Sequence, residues 1–105
     1  MNAQRVLTEE CLRRENLAFA GTRGVSVNNR SLGFLPAFRD NDTGRVEIAR
    51  LANGRPATMH VIEGLPHEWA VARIDNRVCA VKSSVVAGFV RDGVFYTREE
   101  AAAMR

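Results

Sequence analysis

The feature that most constrains this chain is the regular return of Asx and Gly turn signals between short β-branched or aromatic runs. Asp40-Asn-Asp-Thr-Gly44 separates 33–39 from 45–51, Asn53-Gly54 introduces 55–63, and Gly64-Leu-Pro66 stops that run. Asp75-Asn76 lies between 69–74 and 77–82, and Asp92-Gly93 between 87–91 and 94–97. Such pairs supply the positive φ angles of tight hairpins. The pattern predicts an antiparallel meander of about five to seven strands between Leu32 and Thr97.

With Asp92-Gly93 as a two-residue turn, Arg91 faces Val94, Val90 faces Phe95 and Phe89 faces Tyr96. These are aromatic and β-branched cross-strand pairs of the kind that stabilise a sheet. The same arithmetic around Asp75-Asn76 sets Trp69 opposite Lys82 and Ala72 opposite Cys79. Both faces of that hairpin are apolar, which places it in a sheet covered on two sides or in the wall of a closed barrel. A helix starting at Pro66 competes for residues 66–74, but the Asp75 turn follows too soon and a strand is favoured.

Helices are expected at both ends. Leu7, Cys11, Leu12, Ala18 and Phe19 recur at helical spacing, Thr8 suits the cap, and Glu9 and Glu10 suit the positive end of the dipole. An amphipathic helix is therefore predicted from Thr8 to Leu17. Residues 21–31 read as an irregular connection with a short strand at Val25–Val27. Thr97-Arg-Glu-Glu100 is a capping box that opens a short final helix. The fold expected is α+β: a small antiparallel hairpin-rich sheet or partly closed barrel, with an N-terminal and a short C-terminal helix. With 105 residues the chain is one domain's worth, so residues 1–105 are read as a single α+β domain.

Composition narrows the function classes. Hydrophobic residues make up 46% and charged ones 26%, enough apolar material for a core. No apolar run approaches the ~18 residues of a membrane span, so no membrane partner is expected. Charged residues throughout the first 20 positions argue against a signal peptide. A cytoplasmic setting follows, with Cys11 and Cys79 reduced, unpaired and buried as small apolar groups. The net charge of +3 invites nucleic acid, but the excess is dispersed. There are 6 basic against 3 acidic residues through Arg39, 3 against 5 from Asp40 to Glu68, and 6 against 4 from Trp69 onward. Arginine outnumbers lysine 14 to 1, as a GC-rich bacterial coding sequence produces without any phosphate-binding role.

Candidate chemistry is sparse. His60, Glu63, His67 and Glu68 would share a helix face only if Gly64 and Pro66 did not interrupt it, and on a strand His60 and Glu63 point apart. No metal or other cofactor is expected. Cys11, Cys79, His60 and His67 contain the ingredients of a Cys-His nucleophile without a spacing that catalysis requires. Gly21-Thr-Arg-Gly24 offers a two-glycine anion nest with Arg23, and there is no P-loop or dinucleotide fingerprint. A small enzyme with an unrecognised site is thus the third reading. The second is a nucleic-acid-binding module. It would stack bases on Phe34, Phe38, Phe89, Phe95 and Tyr96 and hold phosphates with Arg39, Arg91 and Arg98. Arg91, Arg98, Phe89 and Tyr96, around the last hairpin, are its sharpest candidates. The leading reading is a non-enzymatic protein-binding or assembly module. It would use a sheet edge near Ala57–Ile62, the final hairpin or an exposed aromatic patch, and its partner would be another protein or a second copy.

Overall fold

The computed structural model describes residues 6–104. In chain order α1 (Glu9–Ala18), α2 (Ser26–Asn29) and a 3-10 turn (Arg30–Leu32) precede β1 (Leu35–Asp40) and β2 (Val46–Ile48). A second 3-10 turn (His67–Trp69) leads into β3 (Ala70–Ile74) and β4 (Arg77–Val81), followed by β5 (Val85–Arg91), β6 (Val94–Thr97) and α3 (Arg98–Ala102). The fold is α+β with six antiparallel strands, but the order is not that of a meander. One sheet runs β2-β1-β5-β6, and β3 and β4 form a hairpin of their own. The difference comes from the long-range pairing of β1 with β5, which sets Leu35 opposite Val90 and Asp40 opposite Val85. Among the described residues β2 and β6 remain separate edges, so the sheet does not close into a barrel.

Local chemistry explains the elements that match their sequence signals. Thr8 caps α1 by accepting the Cys11 N–H at 3.3 Å, and Glu9 and Glu10 occupy the first turn. Thr97 caps α3 with both arms of the capping box in place: Glu100 N–H donates to Thr97 Oγ1, and Thr97 N–H donates to Glu100 Oε1 at 2.8 Å. Asp92 and Gly93 hold φ of 54° and 79°, the two positive angles that a mirror-image hairpin turn demands. The register of β5 against β6 is the anticipated one, Phe89 opposite Tyr96 and Val90 opposite Phe95.

Three expectations are corrected. The strand predicted at Val25–Val27 is instead the start of α2, because polar side chains fold the segment onto its own backbone. Asn28 Nδ2 donates to Thr22 O at 2.8 Å, Asn29 Nδ2 donates to Arg23 O at 2.7 Å, and Val27 is left outside. The strand predicted over 55–63 is a single bridge, Arg50 to Pro56, followed by irregular chain. That chain is tied down by side chains rather than by a ladder: Glu9 Oε2 accepts Ile62 N–H and Glu63 Oε2 accepts Ala52 N–H. No sheet edge therefore exists at Ala57–Ile62. Finally, the 69–82 hairpin is not central: it stands apart from the main sheet, with β4 largely buried and β3 largely exposed. Val78, Ala80 and Val81 enter the core while Val71 and Ile74 stay exposed, and a bulge shifts Ala72 from Cys79 to Ala80. Residues 66–74 begin as a 3-10 turn behind Pro66 and continue as β3, combining the two readings.

The principal core lies against the inner face of the main sheet, where Phe38, Val85 and Ala87 meet Leu12, Ile62, Trp69 and Val81. A smaller cluster of Phe34, Phe89 and Ala101 seats α3. Asp40 is buried at the end of β1, 2.8 Å from Lys82 Nζ, and accepts the Asp42 N–H. The Lys82 hydrogen bond holds its carboxyl down at about 2. Gly88 is a position where only glycine fits, since an added Cβ would lie 2.3 Å from Tyr96 O and 2.4 Å from the Phe95 ring. Gly88→Ala is expected to cost about 1–3 kcal/mol through overpacking. Gly93→Ala, with open space around the glycine but a positive φ, should cost about 1 kcal/mol. Denaturant melts of the two variants check the ordering; a larger loss at Gly93 would contradict the close packing at Gly88.

Candidate interaction surface

The most polar part of the interior is a junction between His60 and Arg98. Arg98 is 2% exposed at the first position of α3, where the capping box fixes its backbone. Its Nη1 donates to Gly24 O at 2.9 Å, and its Nη2 lies 3.0 Å from His60 Nδ1. Its Nε lies 3.0 Å from Glu15 Oε1, an ion-pair contact that is out of line for a hydrogen bond. His60 Nε2 is 2.7 Å from Gly88 O. A guanidinium only donates and a carbonyl only accepts, so the proton of the neutral imidazole belongs on Nε2. Burial, with the Arg98 cation adding to it, lowers the His60 pKa to about 3. Burial also pushes Glu15 up and Arg98 down from their ordinary values, each against the pull of the other's charge. Phe38 and Phe89 meet the imidazole edge-on at 5.4 and 5.0 Å. Apart from Arg98 Nε, which has only the ion-pair contact, the polar groups of the junction are hydrogen-bonded inside the protein, so it is a joint of the fold.

This placement separates the four residues singled out for nucleic acid. Phe89 is fully buried and Arg98 nearly so, both within the interior. Arg91 and Tyr96 are half-buried beside Phe34: the Arg91 guanidinium stacks 4.4 Å from the Phe34 centroid, and Tyr96 packs on that ring at 5.7 Å. Of the other arginine and aromatic candidates, Phe34 and Phe38 are interior, while Arg39 and Phe95 meet on the opposite face of the sheet.

Ladder register decides which side chains share that opposite face. On β1 and β5 the pairs Phe38/Ala87 and Asp40/Val85 turn inward, while Leu35/Val90, Ala37/Gly88 and Arg39/Val86 turn outward. Val46 and Ile48 of β2 join the outward side opposite Arg39 and Ala37. Phe95 and Thr97 of β6 join it opposite Val90 and Gly88. An antiparallel sheet with one face on the core ordinarily carries polar residues on the other. Here seven of ten outward positions are apolar and Arg39 is the single charge. None of them belongs to either buried cluster; Leu35 and Val46 are 49% and 37% exposed, Ala37 and Gly88 are buried beneath their neighbours, and Arg39, Val86 and Thr97 border a cavity beside α1. Phe95 folds over Gly88, and the Arg39 guanidinium stacks on Phe95 at 4.7 Å from its centroid. Asn41 Oδ1 accepts Arg39 Nε–H at 2.9 Å. The terminal nitrogens of Arg39 make no hydrogen bond or ion pair among the described residues.

The remaining candidates lie apart. His67 sits on an exposed turn with Nδ1 2.6 Å from Arg73 Nη1, Glu68 pairs with Arg45, and Glu63 holds the Ala52 N–H. Among the described residues no three His, Cys, Asp or Glu side chains are grouped as metal ligands. Both cysteines are free but half-buried, where full burial was expected. Cys11 lines a cavity of about 460 Å³ between α1 and the start of β5, and the Thr8 hydroxyl, 3.4 Å away, lowers its pKa. No helix among the described residues is long and apolar enough to cross a membrane. Comparison of the chain with family models, with curated proteins and with solved structures finds no match.

The junction generates a pH dependence. Because the folded His60 pKa of about 3 lies below its ordinary value of 6.5, the unfolded chain binds a proton over that interval that the folded chain refuses. Stability should be full above the unfolded pKa and fall by about 1.4 kcal/mol per pH unit as pH descends through the window. His60→Gln retains a donor for Gly88 O and an acceptor for Arg98 but does not titrate. Urea midpoints between pH 7 and 4.5 are expected to fall in the wild type and to stay nearly level in the variant. An equally steep fall in both would remove His60 as the source.

Proposed function

We propose that this chain is a non-enzymatic docking module that engages a protein partner through the outer face of its four-stranded sheet. The observation that carries the reading is the composition of that face, apolar at seven of ten positions, none of them in either buried cluster. Four strands about 4.8 Å apart and about five residues long present roughly 320 Å² in projection. With Arg39, Gly88 and Thr97 included, that is at the low end of the largest patch on a typical soluble monomer, about 300–600 Å², which is often a functional one. Covering it would remove Leu35, Val46, Val90 and Phe95 from water at about 25 cal/mol per Å² of apolar surface. The interior aromatic cluster gives less support to nucleic acid, because Phe89 and Arg98 are committed to packing and Arg91 already lies on Phe34.

The test uses changes on the two faces separately. Leu35→Glu and Val90→Glu put a carboxylate on the outer face, and Arg91→Ala removes the half-buried cation from the inner cluster. Proteins cross-linked to the wild-type chain in its source cell should be lost with both glutamate variants and kept with Arg91→Ala, while circular dichroism of all three is unchanged. Labelled single- and double-stranded oligonucleotides, titrated at low and moderate salt, should not bind. Salt-sensitive micromolar binding that drops with Arg91→Ala would replace a protein partner with nucleic acid.

A further inference from the structure

The geometry points to one kind of occupant for the outer face: an amphipathic helix of a different protein that brings a carboxylate to Arg39. This rests on the docking reading above and adds the chemistry of the partner. Arg39 is held on two sides, by its stack on Phe95 and by the Nε–H to Asn41 Oδ1. Its guanidinium is thereby fixed with the terminal N–H groups free, the fork that takes a carboxylate through two parallel hydrogen bonds. Among the described residues no acid of this chain pairs with it: Glu15 and Glu99 line the same cavity as Arg39, but Glu15 is held by Arg98. Asp40, the next residue, turns inward to Lys82, and every other outward position is uncharged.

A second copy of the chain fits poorly for two reasons. A two-fold pairing of identical faces would enclose two Arg39 side chains and no carboxylate, leaving cations desolvated without partners. The face is also small, roughly 320 Å² in projection against about 800 Å² for each side of a standard stable interface. A helix suits the dimensions. It is about 10–12 Å across, the width of two strands, and about 12 residues cover 18 Å, so one helix lies along β1 and β5 with its apolar stripe on Val86, Val90 and Leu35 and an acidic residue at Arg39. This mode buries limited area, and micromolar affinity is the expectation.

The experiment is selection of a displayed library of 14-residue amphipathic helices, with acidic, basic and neutral residues allowed at every non-apolar position, against the full chain. Selected sequences are then measured as labelled synthetic peptides by fluorescence anisotropy. Binders should enrich Asp or Glu at one position and weaken at least tenfold on Leu35→Glu and on Val90→Glu, two variants that guard against a folding defect in either. Arg39→Gln, or Gln in place of the peptide's acid, should each weaken binding about tenfold, and combining the two should cost little more than one alone, the sign of a direct pair. Binders that need Leu35 and Val90 but ignore Arg39, or that enrich basic residues, would overturn the carboxylate inference while leaving the docking face in place. A concentration-dependent dimer by sedimentation, abolished by Val90→Glu, would also overturn it, in favour of a second copy. Binders indifferent to both glutamate variants would remove the docking face itself.

Discussion

The structure depends on one guanidinium. Arg98 joins chain segments that no strand ladder connects: α1 through Glu15, the 21–25 connection through Gly24 O, and the irregular 49–66 segment through His60. His60 in turn holds β5 at Gly88 O. A charge taken this far from water is costly unless it is compensated, and here a carbonyl and an imidazole nitrogen accept its hydrogen bonds while the Glu15 carboxylate supplies the counter-charge. The irregular stretches are thus joined to one another at this fork, in addition to the anchors that Glu9 and Glu63 supply. Replacing Arg98 by lysine would keep the charge and lose the planar geometry that reaches these partners together.

Gly88 shows how the two faces of the sheet are coupled. Its carbonyl anchors the imidazole in the interior, and its missing side chain lets Phe95 lie flat on the outside, where Arg39 stacks over it. One residue thus contributes to the buried joint and to the exposed surface. The inner face is saturated with contacts of this chain, whereas the outer face offers aliphatic surface with one oriented cation. With the inner face already packed, little ordering cost would remain to be met by a partner on the outer one.

Much of the local structure was legible in the sequence, because local elements depend on neighbouring residues. Thr8, Thr97 with Glu100, and Asp92-Gly93 each specify a cap or turn within a few positions, and each forms as read. What stayed hidden is governed by distant residues. Nothing near Leu35–Asp40 announces Val85–Arg91 as its partner, so a meander was the natural inference from hairpin signals alone. Both faces of 69–82 read as apolar, yet in that hairpin burial divides by strand, with β4 inside and β3 outside, while the apolar outer face belongs to the main sheet. Arg39 and Phe95 were both visible as candidates, but as stacking and phosphate groups in general; only the β1–β5–β6 register sets them on one face. Arg98 looked like a surface cation because arginine usually is one, and its burial follows from the tertiary placement of α3.

The ion pair at the end of β1 gives the chemistry of side-chain amines an unusual weight in this molecule. Lys82 is the single lysine of the sequence, and its ammonium is partner to the buried Asp40 carboxylate while remaining about one-third exposed. In most proteins acylation of a lysine falls on one of many interchangeable surface groups. Here it would have one side-chain target, would neutralise the cation that lets Asp40 stay ionised in the interior, and would loosen the corner where β1 meets the connection from β4 to β5. Covalent marking of lysine would therefore be read by this fold as structural damage, and amine-reactive labelling would report on the integrity of that corner.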